Sequence, residues 1–182
     1  MNAMNYKHVH ALRWFAVVVF ALLPAASALA QKSAWRQATD AELSALLPAR
    51  APVEKEHIET EMRTASGITD GKGHFIAGVV LITAGYSADG KYSHYLVVQS
   101  QVRLGNVALA PGEYVFGWER SHDGSSLSVH LNEASNGKLV GLVEAHQLTG
   151  KTGVASLRIW PPGEKPLIQI GRFGISYELE GE

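Results

Sequence analysis

Arg120, Glu144 and His146 are the residues of this 182-residue chain whose types best suit chemistry. A carboxylate beside an imidazole can work as base and acid, or share a metal ion, and a guanidinium can hold an anion. Hairpin register brings the three together. A two-residue turn fixes which residues stand opposite each other. Turns centred on Asp123-Gly124 and Asn136-Gly137 oppose Arg120 to Leu127 and Leu127 to His146, with Glu144 two residues along on the same face. The three are therefore expected at one end of an otherwise apolar interior. A buried carboxylate without a partner costs several kcal/mol, so Glu144 has to pair with Arg120 or reach water. Two readings follow: a ligand site, or the rim of the sheet where the interior opens to solvent.

Trp160 is a fourth candidate for ligand binding. It shares outward parity with Ser156 and Arg158 and precedes Pro161-Pro162. An indole beside a guanidinium can stack on a sugar or a partner, or it can lie under a neighbouring loop. The remaining histidines, His74, His94, His122 and His130, lack the spacing of a metal motif, although His94 is expected to face inward beside Leu96. Ser125 and Ser126 follow a hairpin glycine rather than lead into a helix, and no G-x-S-x-G is present. Without cysteine there is no thiol chemistry, and no glycine-rich loop opens a helix to cradle phosphate. No catalytic residue, metal ligand or cofactor is assigned on this basis.

The elements that position these residues are strands. Turn pairs recur at Pro111-Gly112, Asp123-Gly124, Asn136-Gly137, Gly150-Lys151 and Gly163-Glu164, their glycines 12 or 13 residues apart. Between them lie β-branched and aromatic runs, the pattern of an antiparallel meander. Strands are predicted over residues 75–84, 92–104, 106–110, 113–120, 126–132, 138–147, 154–160, 167–170 and 173–179. Residues 75–84 are apolar on both faces and should be covered on both sides. In the last run Phe173, Ile175, Tyr177 and Leu179 face one way. Centring hairpins on the turns opposes Phe116 to Val107 and to Leu131, Trp118 to Val129, Leu131 to Leu142, Leu142 to Ile159, and Ile159 to Ile168. Each pair is apolar against apolar, and Tyr114, Phe116 and Trp118 read as core. The fold class is all-β: an antiparallel meander of about eight or nine strands, closed as an up-and-down barrel or folded as a β-sandwich. The outward residues Ser126, Ser128, His130, Ser176 and Glu178 are polar, which does not suit a barrel in lipid.

One short helix precedes the sheet. Thr39 and Glu42 have capping-box spacing, Leu43, Leu46 and Leu47 share a face, and Pro48 ends it. Residues 49–53 read as an extended linker and 66–73 as loop; in 54–63 the alternation of Ile58, Thr60 and Met62 favours a one-sided strand, while the Glu and Lys content also suits a helix. The stretch from Leu109 to Tyr114 resembles a strand-crossing hairpin of many secreted bacterial β-sandwich modules, over six residues of mostly turn chemistry. It identifies no family.

Residues 1–30 read as a secretory signal. Lys7 and Arg13 form a basic start, Trp14 to Leu23 an uncharged apolar core, and Ala28-Leu29-Ala30 a cleavage site before Gln31. The expected organisation is therefore signal over residues 1–30, helix and linker over 31–55, and one β-domain over 56–182. Removing Lys7 and Arg13 leaves 14 basic residues against 17 acidic ones, a formal charge of −3 that gives no reason to expect nucleic acid. No later apolar run reaches the length of a membrane helix. The expectation is a soluble exported domain, periplasmic or extracellular. Its function is read as a non-catalytic module for a small apolar, glycan or anionic ligand. A cell-envelope protein partner is the alternative, and an enzyme using Glu144 and His146 comes third.

Overall fold

The structure, a computed structural model, describes residues 35–150 and 153–179. The signal segment of residues 1–30 and its cleavage site lie outside them. The predicted helix is present as α1 (Asp40–Leu46). The Thr39 hydroxyl accepts from the Glu42 amide at 3.2 Å, and the Glu42 carboxylate accepts from the Thr39 amide at 2.8 Å. Such a cap contributes about 1 kcal/mol, and the apolar face of the helix does the rest by burying Leu43.

Before and after the helix come β1 (Arg36–Gln37), β2 (Arg50–Val53) and the long β3 (Glu56–Thr69). Next are β4 (Phe75–Leu81), β5 (His94–Val98), β6 (Val102–Leu104) and β7 (Val107–Leu109). The series ends with β8 (Gly112–Arg120), β9 (Ser126–Glu133), β10 (Leu139–Gln147), β11 (Ala155–Ile159), β12 (Leu167–Gly171) and β13 (Phe173–Leu179). The main sheet runs β1-β3-β4-β5-β8-β9-β10-β13-β12-β11, with every described pairing antiparallel. It curls until β11 lies beside β3 and β4, giving a nearly closed barrel with a single short helix. The all-β class with one short helix is thus the observed one, as a barrel-like sheet whose thirteen described strands do not follow the simple meander of eight or nine expected from the turns.

Two apolar clusters share the wall made by β3, β4 and β5. Ile76, Leu96 and Val98 point into the barrel with Phe116, Leu127, Ile159, Ile168 and Ile175. Ala77, Val79, Tyr95 and Val97 point outward, beneath Leu43 and Leu47 of the helix and Ala51 and Val53 of β2. The two-sided apolar run from Phe75 predicts this cover. Alternation delivers both faces at once, because successive side chains leave a strand on opposite sides.

Several expectations are corrected. Residues 49–53 are not merely a linker, because Arg50–Val53 pairs with Glu56–Glu59 as β2. Ser66–Thr69 is strand rather than loop, because Phe75–Gly78 pairs with it. The run 92–104 is two strands, and β6 leaves β5 to pair with β7 and with the far end of β13. Val107 therefore does not face Phe116; β8 takes β5 as its neighbour, with Gly112 opposite Val98. Nor does Leu142 face Ile159, since β10 pairs with β13 and the last three strands are laid down in reverse order. Three expected pairs are present: Phe116 opposite Leu131, Trp118 opposite Val129, and Ile159 opposite Ile168.

The decisive departure is a bulge in β10 between Leu139 and Gly141. It puts Gly141, not Leu142, opposite Leu131 and turns Leu142 out to oppose His130. The reason is space. A Cβ on Gly141 would lie 2.6 Å from a methyl of Val107, which the β6–β7 hairpin inserts at that level of the interior. One extra residue in a strand reverses the parity of everything after it.

Candidate functional site

That reversed parity moves two of the four sequence candidates. His146 stands opposite Ser126 and Glu144 opposite Ser128, both on the outer face, while Ala145 takes the inward place opposite Leu127. The side chains of Glu144 and His146 are 60% and 73% exposed and 4.0 Å apart, a loose surface pair. The expected gathering of Arg120, Glu144 and His146 in the interior does not occur. Arg120 does oppose Leu127 as predicted, at the inner edge of β8. Arg120 and Glu144 both border an outer cleft of about 590 Å³ of mixed polarity, with Glu119, Ser121 and Ser128 beside Leu142 and Val143.

Trp160 is half-buried rather than open. The Arg158 guanidinium covers its ring at 3.6 Å, and its Nε1 donates to the Gln169 side chain at 3.3 Å. One face of the indole is thus occupied by Arg158. Beside it is a hollow of about 380 Å³ lined by Gly153, Arg158, Lys165 and Gln169.

The interior opens at the end of the barrel where β8 turns into β9. There Val80, His94, Trp118, Leu127, Ile170 and Phe173 enclose a cavity of about 520 Å³. Each comes from a strand terminus at the same end: β4 finishes there, β5 starts there, and the β12–β13 turn brings Phe173. Trp118, expected in the core, is 41% exposed because the interior ends at its level. Around the opening stand Ser93, Arg120, Gln147, Val154, Ser156 and Arg172. The Arg120 guanidinium lies 5.3 Å from the centre of the Phe173 ring.

His94 forms part of the inner wall. Its ring stacks on Phe116, with centroids 4.6 Å apart and planes 5° from parallel. The Ser156 carbonyl can only accept, so Nε2 carries the proton and donates to it at 3.3 Å. Nδ1 then accepts from the Ser93 hydroxyl at 2.8 Å. Burial holds the imidazole neutral and pushes its pKa down to about 4, against a smaller upward pull from the Ser156 carbonyl. A hydroxyl bonded to an imidazole is the first requirement of an activated nucleophile. This imidazole is a poor base at neutral pH, and a stacked ring with a fixed tautomer has little freedom to shuttle protons. The pair is suited to shape a wall rather than to run acyl transfer.

The chain matches no protein-family model, no curated protein and no solved structure. Among the described residues no group of three histidine or acidic side chains could hold a metal ion, and no helix is long and apolar enough to cross a membrane.

Sequence reading places Trp118 and Arg120 on the inner face but does not reveal the cavity. Phe173, Arg172, Val154 and Ile170 join it through the pairing of β10 with β13, which no turn signal encodes. The inward parity of His94 was the one signal that reached the site from β5.

Proposed function

We propose that this chain is an exported, non-catalytic module that binds a small ligand with an apolar body in the mouth of its barrel. The supporting observation is the cavity of about 520 Å³, walled by Val80, Trp118, Leu127, Ile170 and Phe173 with a few polar groups at its edge. Concave, mainly apolar sites of a few hundred Å³ with sparse polar groups are the usual form of small-molecule sites. Export is supported by the basic start, uncharged apolar core and Ala28-Leu29-Ala30 of the first thirty residues. The product would work in the periplasm or outside the cell.

The experiment is titration of the mature protein with 2-naphthamide, a flat neutral probe, by calorimetry. One site per chain is expected, with Trp118→Ala weakening it about tenfold or more while the protein stays folded. Absence of saturable binding, or an affinity indifferent to Trp118→Ala, would rule the mouth out as the site.

A protein partner in the cell envelope is the second reading. It is favoured by an apolar patch on β10, where Leu139, Val140 and Leu142 are exposed. Leu142→Glu would then abolish co-purification with that partner and leave naphthamide binding intact.

A further inference from the structure

We infer that the barrel mouth selects an organic oxyanion: a carboxylate, sulfonate or phosphate carried on a flat apolar body. The inference rests on the mouth being a ligand site and adds the chemistry of the ligand's head group.

Charge in the mouth has one sign. Its lining includes Arg120, whose guanidinium stands over Phe173, and Arg172, and it includes no aspartate or glutamate. The whole chain carries a formal charge of −1, so two unaccompanied cations at one opening run against the average. Elsewhere Arg36, Arg63 and Lys91 each hold a carboxylate within 2.9 Å, while among the described residues Lys55, Lys72, Lys138 and Lys165 hold none at ion-pair distance. Among the described residues neither Arg120 nor Arg172 has a carboxylate at ion-pair distance. His94, the other titratable group in the wall, is held neutral by burial and adds no competing charge at neutral pH.

Position matters as much as sign. Phe173 fixes the Arg120 charge over its ring, at the boundary between apolar wall and water. Arg172 precedes Phe173 in the turn between β12 and β13. A ligand whose apolar body lies against Trp118 and Phe173 therefore carries its head to the rim, where guanidinium groups can offer paired N–H donors. That fork matches the two oxygens of a carboxylate or its analogues and has no equivalent use for an amide or hydroxyl.

The test compares 2-naphthoate with 2-naphthamide, which share one body and differ in the head. Calorimetry at low and high salt would use the mature protein, Arg120→Gln, Arg172→Gln, the double variant, and Trp118→Ala. The expected result is about tenfold tighter binding of naphthoate, an advantage that shrinks at high salt and disappears in the double variant. Naphthamide affinity should be the same in the parent and both arginine variants, and Trp118→Ala should weaken both probes. Equal affinity for the two probes in the parent protein would overturn anion selection and leave the apolar site standing. So would a double variant that loses both probes equally. Failure of both probes to bind would remove the site itself, and the selectivity with it.

Discussion

The Ile159 amide donates to the Ser66 hydroxyl at 2.9 Å, joining β11 to β3 across 93 residues of sequence. Among the described residues no backbone ladder links these two strands, so this buried side-chain bond lies where the sheet meets itself. Ser66→Ala leaves the Ile159 N–H without its acceptor in an apolar setting. The expected cost is about 1–3 kcal/mol in urea unfolding, with faster amide exchange at Ile159. Unchanged exchange at that amide would mean that packing alone holds the seam.

His94 links stability to acidity. Its folded pKa of about 4 lies below the ordinary value of 6.5, so between these limits the unfolded chain binds a proton that the folded chain refuses. Its contribution is therefore complete above pH 6.5 and is lost as pH falls toward 4, a total of about 3 kcal/mol. Urea midpoints at pH 7 and pH 4.5 should differ less in His94→Gln than in the parent. The strongly acidic Glu42, Glu61, Asp70 and Asp123, each held at about 2 by hydrogen bonds, act in a lower window. Identical pH profiles for variant and parent would show that the imidazole titrates normally.

Glu144 and His146 should be silent. Both are exposed on the outer face, and their 4.0 Å approach lies in open solvent. Glu144→Gln and His146→Ala are each expected to change stability by less than about 0.5 kcal/mol and to leave naphthoate binding unaltered. A substantial loss of binding in either would bring the outer cleft back as the site.

Gly117 has no room for a side chain. A Cβ there would collide with the Lys91 carbonyl oxygen and the His130 ring, which are themselves joined by a 2.8 Å hydrogen bond. The segment leading into β5 lies directly on β8 at this point. Gly117→Ala should cost about 1–3 kcal/mol, readable as a lower urea midpoint.

How far the fold is legible in the sequence depends on whether a residue's neighbours are local. The Thr39–Glu42 cap, the Asp123-Gly124 hairpin with Trp118 opposite Val129, and the Ile159–Ile168 pair all follow from neighbours a few residues away or across one turn. The Gly141 bulge does not, because it answers to Val107, more than thirty residues back and on a hairpin that pairs elsewhere. A single shift in β10 was enough to carry Glu144 and His146 from the expected interior to the surface. Ser66–Thr69 is equally opaque: Gly67 reads as a loop residue, but the strand requires glycine there because a Cβ would fall 2.6 Å from the Ala77 methyl, a contact set by the sheet. Of the site, Arg120 and Trp118 could be placed by parity, and Phe173 could be oriented, but their meeting required the strand order.

The barrel's walls are unequal in thickness. On one side β3, β4 and β5 are sandwiched between two apolar clusters; on the other, β9, β10 and β13 show Ser128, Glu144, Ser176 and Glu178 directly to water. Local opening follows the lower density of buried contacts. By that rule amide exchange is expected to be faster on the side that carries Phe173 than on the side that carries His94.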